Sequence, residues 1–298
     1  MAAVAGGADR GPRHVQPDRH GPDRPGAELS ARPSSVEEAA DVLAGGGVVA
    51  FTGAGISTES GIPTFRDPGG IWDRFDPSEF GTWDVLMGLA MTRPDALADF
   101  LAELRRMFAA AAPGAAHVAL ARLEAGGILD AVVTQNVDGL HQAAGSHRVV
   151  EIHGSFSRTV CLMCGGRDDV ARGELLANLD RAVVALRSAF VASLASLLPR
   201  CWRCEGPVRP DFVAFGDAVQ DFPEAEDLVR ECRVLLVVGT SGEVYPAAAL
   251  PEEAGRSGAT VIDVSAGPTD VRSDLRVQGK AGAILPALAD RVLGGPGR

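Results

Sequence analysis

The amino-acid sequence predicts an α/β protein: a doubly wound, Rossmann-like parallel sheet with a smaller insert domain that is helical and carries four cysteines. Short apolar runs typical of buried strands alternate along the chain with amphipathic helical patterns, as expected for parallel strands joined by helices. Two Cys-x-x-Cys pairs interrupt this alternation and indicate the insert. The strand-like runs are residues 47–50, 128–134, 149–153, 234–238 and 261–264.

Composition narrows the function classes. The chain has 298 residues, of which 46% are hydrophobic, so it can bury a full core. Its 39 acidic and 28 basic residues give a net charge of -11, which argues against a nucleic-acid or membrane partner. This charge could attract lysine-rich protein segments, although it is equally consistent with simple solubility. With no bilayer-length apolar run and no signal-peptide core, we expect a cytoplasmic protein.

Composition shifts divide the chain. Residues 1–33 carry almost nothing apolar and are expected to form a disordered tail. A serine-capped amphipathic helix then opens the main domain. We assign the Rossmann-like domain to residues 34–67, 113–153 and 208–298, a helical cofactor-loop insert to 68–112, and a zinc-binding insert to 154–207.

A glycine-rich stretch at residues 51–67 organises the first half of the chain. Gly53 and Gly55 follow the first strand, and Ser57 and Thr58 come directly after them. A strand, a tight turn and a helix start predict an anion site, because free backbone N–H groups and the helix dipole favour phosphate. The spacing nevertheless departs from the usual dinucleotide fingerprint, since Thr58 stands where the third glycine belongs. A purely structural turn remains an alternative.

Polar residues follow the second and third predicted strands. Gln135, Asn136 and Asp138 come after the second, and His153 ends the third. Carboxyl ends of parallel strands share one crevice, so we expect these side chains and the glycine turn to face the same ligand. The alternatives are a capped turn for the loop and a satisfied structural role for the histidine.

Two cysteine pairs give the clearest chemical signal. Cys161 with Cys164 and Cys201 with Cys204 predict a tetrahedral site of four thiolates, whereas Cys232 lies in an apolar run and is interpreted as core. Four thiolates leave no open position on zinc, so the metal would be structural. An iron–sulfur cluster is the competing interpretation. Apolar residues at helical spacing between the pairs, from 175 to 197, predict a packing face or a partner surface.

These motifs occur together, and in the same order, in the sirtuins, which are NAD-dependent protein-lysine deacylases. The sequence resembles a bacterial-type sirtuin over about residues 34–290. The resemblance rests on GAGISTESGIPTFRD (53–67), TQNVDGLH (134–141), EIHGS (151–155), both cysteine pairs, RPDFVAFGD (209–217) and VGTS (238–241).

The resemblance implies an activity. A sirtuin moves the acyl group of an acetylated lysine in a protein substrate to ADP-ribose, giving nicotinamide, O-acetyl-ADP-ribose and free lysine. The cofactors would be NAD and structural zinc. The enzyme class would be a transferase acting in protein deacetylation. Its partners would be acylated lysine-containing proteins, with no nucleic acid and no membrane.

The resemblance also implies roles for individual residues. His153 would be the general base, with Asn136 and Asp138 as further catalytic residues. Residues implied to bind NAD are Gly53, Ala54, Gly55, Ile56, Ser57, Thr58, Phe65, Arg66, Gln135, Asn136, Val137, Asp138, Gly239, Thr240, Ser241, Ser265 and Ala281. Residues implied to clamp the substrate peptide as an added strand are Val213, Ala214, Phe215, Gly216, Gly242, Glu243 and Val244.

Several positions depart from the sirtuin pattern. Ser265 replaces the usual asparagine at the cofactor ribose, and Asp217 replaces the usual glutamate. Leu101 and Leu104 stand where sirtuins that remove succinyl groups have a tyrosine and an arginine, so a buried acyl carboxylate would be unpaired. We therefore expect acetyl or apolar acyl groups to be favoured over succinyl. Mono-ADP-ribosyl transfer from the same pocket and a non-catalytic NAD-sensing module are the alternatives.

Overall fold

The fold is described from a computed structural model. The structure describes residues 32–64, 70–188 and 199–294. Phe65 and Arg66, two of the expected NAD contacts, lie outside the described residues, as do most of the predicted tail and the last third of the apolar stripe.

Seven parallel strands form the large sheet: β1 (Arg32–Pro33), β2 (Val48–Thr52), β3 (Leu129–Thr134), β4 (Val149–Glu151), β8 (Val234–Val238), β9 (Thr260–Ser265) and β10 (Leu275–Gln278). Their order across the sheet is β1-β10-β9-β8-β2-β3-β4. This confirms the predicted doubly wound α/β fold. Val48 and Ala50 of β2 belong to the core cluster on one face, and Val49 and Phe51 to the cluster on the other. Burial on both faces explains why these strands are continuous apolar runs.

Helices cover both faces of the sheet. One face packs against α1 (Val36–Leu43), α6 (Ala115–Ala125) and α11 (Ala281–Leu293). The other packs against α9 (Phe222–Glu231) and α10 (Leu250–Arg256). The predicted serine cap of α1 is confirmed, since the Glu38 N–H donates to Ser35 Oγ at 3.2 Å. No helix in the described ranges is long and apolar enough to cross a bilayer.

A helical region precedes α6 and has its own core. It contains α2 (Ile71–Arg74), α3 (Pro77–Phe80), α4 (Trp83–Thr92) and α5 (Pro94–Ala110). The rings of Phe75, Phe80 and Phe100 lie 5.0 to 5.1 Å apart at its centre. The short helix α7 (Leu140–Ala143) follows the loop after β3. Helix α8 (Arg172–Arg187) packs along α5, and this region thereby joins the cysteine-bearing part of the chain.

The cysteines belong to a second, antiparallel sheet. Its order is β6-β5-β7, with β5 (Gly154–Cys161), β6 (Arg167–Asp169) and β7 (Val208–Phe212). Strand β5 begins at the residue after His153. The polypeptide therefore passes from the large sheet into the small one at the predicted catalytic histidine. The predicted third strand was too long, because β4 ends at Glu151 and leaves His153 in the connection.

Candidate functional site

Four neighbouring strands deliver the predicted site to one edge of the large sheet. Strands β8, β2, β3 and β4 are adjacent, and all run in the same direction. Their carboxyl ends lead respectively into residues 239–241, the glycine turn at 53–55, the polar loop at 135–138, and His153. The order of the sheet thus brings together motifs that are far apart in sequence. Open α/β sheets bind ligands at this edge.

The glycine turn packs against the loop that follows β8. The N–H groups of Gly53 and Gly55 donate to the carbonyls of Val238 (3.0 Å) and Gly239 (2.8 Å). A Cβ on Gly55 would lie 2.7 Å from Gly239 Cα. Gly239 has a φ of +63°, and a Cβ there would lie 2.6 Å from the Ile56 nitrogen. The expectation of free N–H groups was therefore wrong for Gly53 and Gly55, whose small size serves the contact between the two loops.

Hydrogen bonds fix the orientation of the Asn136 side chain. Its Nδ2 donates to Gly53 O at 3.2 Å and to Ser57 Oγ at 3.1 Å, while its backbone N–H donates to Thr134 Oγ1 at 3.0 Å. An amide NH₂ has two protons. Because both are used within the part of the chain that the structure describes, Oδ1 is the side-chain atom of Asn136 left for a ligand, and it can only accept.

Asp138 is connected to Asn136 through the buried Ser57. The Ser57 hydroxyl donates to Asp138 Oδ2 at 2.7 Å, and the Leu140 N–H donates to Oδ1 at 3.0 Å. Ser57 was predicted to contact the cofactor, but its side chain is fully buried and its hydrogen bonds run to the other site residues. In this structure Ser57 holds the loop at 135–138 in place through its hydrogen bonds to Asn136 and Asp138. Thr58 is exposed and bonds to Gly55 O at 3.0 Å.

The His153 ring is held by the polar loop. Its Nδ1 lies 3.1 Å from Gln135 O. A carbonyl oxygen can only accept, so Nδ1 carries the proton and Nε2 has the lone pair. Burial lowers the pKa of His153, and the hydrogen bond to Gln135 opposes that effect. The imidazole is thus neutral near pH 7, with Nε2 able to take a proton.

Gln135 links this histidine to the loop after β8. Its Nε2 donates to Thr240 Oγ1 at 2.9 Å, and the Gly242 N–H donates to the same oxygen at 3.4 Å. A hydroxyl that accepts two hydrogen bonds has used its lone pairs, so the Thr240 proton is directed to another partner. Thr240 is therefore a hydrogen-bond donor at the edge, beside acceptors in the neighbouring loop.

Sequence reasoning missed His117, which lies beneath the polar loop. Its Nδ1 accepts from the Gly114 N–H at 3.2 Å, so Nε2 carries the proton toward Ser57 Oγ at 3.3 Å. Burial lowers the pKa of His117. A polar residue among the apolar positions of α6 is the sequence signal that could have identified it.

His141 was missed as well. Its Nε2 lies 2.9 Å from Thr52 Oγ1, which donates to Thr134 Oγ1 at 2.8 Å. Its ring meets that of His117 edge to face, with centroids 4.9 Å apart. Burial, followed by the repulsion that a protonated His117 would exert, lowers the pKa of His141 to about 3. Both histidines are therefore neutral, and together they support the loop from which Asn136 and Asp138 project.

Ser265 and Ala281 lie at the far end of this edge, beside β10. The Ser265 hydroxyl donates to Asp263 Oδ2 at 2.8 Å, and Arg276 Nη2 donates to Ser265 Oγ at 3.2 Å. Burial raises the pKa of Asp263. The proton of Ser265 is thus bonded within the chain, so this serine does not replace the amide donor of an asparagine. Ala281 is the first residue of α11 and is buried.

The four cysteines form one cluster at the end of the small sheet. Their sulfur atoms all lie within 4.8 Å of one another. Cys161 and Cys204 are 3.5 Å apart, and Cys164 and Cys201 are 3.6 Å apart. Zinc with four bonds of about 2.3 Å places its sulfurs about 3.8 Å apart, whereas a disulfide needs about 2.05 Å.

The chemistry of the donor set also fits a thiolate-bound metal. The N–H groups of Cys164 and Met163 donate to Cys161 Sγ and lower the pKa of that thiol, which favours its thiolate, whereas hydrogen bonds to the other cysteines raise the pKa of Cys204. Four thiolates fill a tetrahedral coordination sphere and leave no position for water or substrate. The cofactor expected here is structural zinc, held by Cys161, Cys164, Cys201 and Cys204.

The expected substrate residues follow β7 and β8. The Val213 N–H donates to His153 O at 2.8 Å, and the Phe215 N–H donates to Gly81 O at 2.8 Å. Ala214 is buried between them, whereas Phe215 and Gly216 are exposed. Gly242, Glu243 and Val244 lie in the loop after Thr240. The segment 213–216 is thus bonded directly to the backbone of His153.

The fold and site define a class: an α/β nucleotide-binding protein with hydrogen-bond acceptors and a neutral imidazole at the carboxyl edge of its sheet, and a closed four-thiolate module. Comparison with known proteins identifies the family within this class. The model of the Sir2 family matches residues 53–246. The chain belongs to the Sir2 family.

Relatives support this assignment over most of the chain. The chain is 42% identical to an NAD-dependent protein deacylase of Desulfosudis oleivorans over 262 residues, which is 87% of this chain and 96% of that protein. A Sir2 homologue solved as a complex with NAD matches with a TM-score of 0.70 and 31% identity, covering 88% of this chain and 95% of that one. Sir2Af2 bound to a myristoylated histone peptide matches with a TM-score of 0.63 and 33% identity, covering 86% and 95%.

Proposed function

We propose that the chain is an NAD-dependent protein-lysine deacetylase that yields nicotinamide, O-acetyl-ADP-ribose and free lysine. The observation that carries the proposal is the state of His153: a neutral imidazole with its Nε2 lone pair available, beside the polar loop that holds Asn136 and Asp138. The names of the relatives support the same activity.

The hydrogen-bonding character of the edge fits NAD. Asn136 Oδ1 and the Asp138 carboxylate are acceptors, which suit the carboxamide NH₂ and ribose hydroxyls of the nicotinamide half. Thr240 contributes a hydroxyl donor in the loop after β8. When bound, NAD supplies an ADP-ribosyl group that becomes electrophilic as nicotinamide leaves. The negative charge of Asp138 would stabilise the positive charge that develops at this step.

His153 would act as the general base. The hydrogen bond from Nδ1 to Gln135 O fixes the tautomer and aims Nε2 away from that carbonyl. A ribose hydroxyl that contacts Nε2 would transfer its proton there, since the pKa of His153 is low enough to keep the imidazole unprotonated before the reaction. The same ring would return the proton to solvent. A positioned base of this kind contributes about 10²- to 10⁴-fold to the rate.

The acyl preference follows from the charges on α5. Leu104 is buried in the apolar cluster of the helical region, and Leu101 packs against it. The two arginines of α5, Arg105 and Arg106, are exposed and bond to Asp180 and Glu103. Helix α5 therefore offers no cation to a buried succinyl carboxylate, whose burial would be costly. Acetyl and apolar acyl groups are favoured, and the relative bound to a myristoylated peptide is consistent with this.

The experiment that tests the proposal is nicotinamide release from NAD with lysine peptides that carry acetyl, myristoyl or succinyl groups. Release should depend on the peptide and be fastest with acetyl or myristoyl. His153→Ala should lower turnover by about 10²- to 10⁴-fold while NAD binding, followed by calorimetry, persists. His147→Ala is the matched control, because His147 is exposed and lies outside the edge described above.

Two outcomes would contradict the proposal. Full turnover by His153→Ala would remove the general base. Transfer of the labelled ADP-ribose of NAD to protein, without deacylation, would favour mono-ADP-ribosyl transfer. A preference for succinyl would overturn the acyl preference alone.

A further inference from the structure

Arg209 is fixed in place from several sides although it contacts none of the reacting groups. Its Nη1 donates to Phe212 O and Pro210 O, each at 3.1 Å. Its guanidinium lies over the Trp83 ring, 4.5 Å from the centroid. The Trp83 ring in turn packs against that of Phe212, with centroids 4.5 Å apart. A planar guanidinium on an indole is held more firmly than a flexible surface cation.

Asp217 continues this arrangement into the segment 213–216. Its Oδ2 lies 3.6 Å from Arg209 Nη2 and accepts the Ala214 N–H at 3.2 Å. Its backbone N–H donates to Ala214 O at 3.1 Å. The side chain and the backbone of Asp217 therefore both bond to Ala214 and close a turn over residues 214–217. Arg209 is the cation that orients this carboxylate.

The same segment is bonded to two other parts of the molecule. The Val213 N–H donates to His153 O, and the Phe215 N–H donates to Gly81 O. The second contact leads to the helical region that carries Trp83. The orientation of the turn over 214–217 is thus set jointly by the small sheet, the helical region and the connection at His153. Arg209 contacts the small sheet at Pro210 and Phe212, and the helical region at Trp83.

We propose that Arg209 and Asp217 are positioning residues for the acyl-lysine peptide: by holding the turn at Ala214, they preform the segment 213–216 on which the peptide lies. This inference rests on the proposed function. A preformed segment lowers the ordering cost of binding, so loss of either residue weakens peptide affinity. The NAD-facing residues are on other loops, so NAD affinity is unaffected.

The test compares Arg209→Met, Asp217→Asn and their double variant with wild type. Binding of a fluorescent acetyl-lysine peptide is measured by anisotropy, and KM and kcat by nicotinamide release. Each single variant should weaken peptide binding about tenfold, and the double variant should be no weaker than the worse single one, since the two residues act as one unit. The value of kcat and the Kd for NAD should stay within about twofold of wild type.

Conservative and control variants separate positioning from structure. Asp217→Glu keeps a carboxylate within reach of Arg209 and should retain peptide affinity. Arg209→Lys keeps the charge but loses the plane that packs on Trp83, so it should be intermediate. Arg105→Met removes an exposed arginine paired with Asp180 and should change nothing.

The outcomes distinguish this inference from the proposed function. If wild type neither binds the peptide nor releases nicotinamide, the proposed function fails and this inference with it. If wild type is active but both single variants bind peptide as wild type does, only the inference is overturned. It is also overturned if the two losses are additive, or if Arg209→Met weakens NAD and peptide alike.

Discussion

Two regions of the protein hold their polar groups in place by different means. One is the carboxyl edge of the large sheet, and the other is the four-cysteine module, which consists of β5, β6, β7 and the four clustered cysteines. At the edge, hydrogen bonds between buried side chains suffice: Ser57 bonds to His117 and to the Asp138 carboxylate, and His141 bonds to Thr52. Among the described residues, the apolar cluster around the cysteines of the module consists of Cys161, Cys201 and Val208. The module relies on thiolates and on arginine–aspartate pairs instead. Packing and hydrogen bonds therefore hold the edge in shape, whereas the structure of the module depends on bound metal.

Zinc removal should produce the largest effect and separate the two regions. A chelator or Cys161→Ser should unfold the small sheet and abolish turnover, because structural zinc contributes about 10 to 16 kcal/mol in zinc-dependent peptides. Hydrogen exchange should become fast in β5 and β7 while β2 and β8 stay protected. Zinc content is measured in parallel, and Cys232→Ser, in the buried core away from the cluster, should keep it. Equal loss of protection in both sheets would contradict the prediction that zinc stabilises the small sheet alone.

Gly55→Ala should test how tightly the edge is packed. The added Cβ meets the Gly239 backbone, which cannot move aside as a side chain would, so we expect a loss of about 2 to 3 kcal/mol in the free energy of unfolding. Gly88→Ala in α4 is the control. A Cβ there meets nothing within 4 Å, and replacing a helical glycine should add about 0.5 to 1 kcal/mol. Urea unfolding measures both, and equal effects would show that the loops are not in contact.

Acid should destabilise the edge through its buried histidines. Burial lowers the pKa of His141 to about 3, below the value of about 6.5 in an unfolded chain. The stabilisation is complete above pH 6.5 and is lost as the pH falls toward 3, because only the unfolded chain binds the proton in that interval. The loss should be on the order of 3 kcal/mol by pH 4.

The control for this prediction is His141→Gln, which keeps a donor for Thr52 but does not titrate. Its urea midpoint should fall less steeply between pH 6.5 and 4 than that of wild type. Equal slopes would assign the pH dependence to carboxylates alone.

The smallest effect should come from one ion pair of the module. Arg167 Nε lies 2.9 Å from the buried Asp211, which also bonds to Arg158 at 2.7 Å. Arg167→Gln should cost about 0.5 to 1 kcal/mol, because Arg167 is half-exposed and the aspartate keeps a partner. Arg158→Gln should cost more, since Arg158 is more buried and also faces Glu151. Thermal unfolding of the zinc-bound protein measures both, and a reversed order would contradict the account.

The central strands of the fold could be predicted because strands buried on both faces have a recognisable apolar pattern in the local sequence. β2 and β8 are buried along their whole length and β3 is buried except at Asp130, so each is a largely apolar run. β10 (LRVQ) is only four residues long and half-exposed, and β5 (GSFSRTVC) mixes polar and apolar residues without a clear period. Pairing with distant strands, rather than local pattern, makes these segments strands.

The site shows the same limit. The motifs with Asn136, Asp138 and His153 could be located, but the supports beneath them could not. His117 and Ser57 are 60 positions apart, and His141 and Thr52 are 89 apart, so only the folded sheet brings each pair together. Likewise, sequence cannot distinguish a glycine that admits a ligand from one, like Gly55, that admits another loop.

Gly154 limits how this molecule could be recombined with others. It has a φ of +74°, and a Cβ there would lie 2.0 Å from the Asp211 carbonyl, so the residue after His153 is pressed against β7. A chimera that exchanges the cysteine-bearing unit must therefore graft Gly154 and the stretch around Asp211 as a matched pair. In a chimera that took Gly154 and Asp211 from different proteins, the two segments would pack poorly against each other. The neighbouring His153 ring would then be displaced.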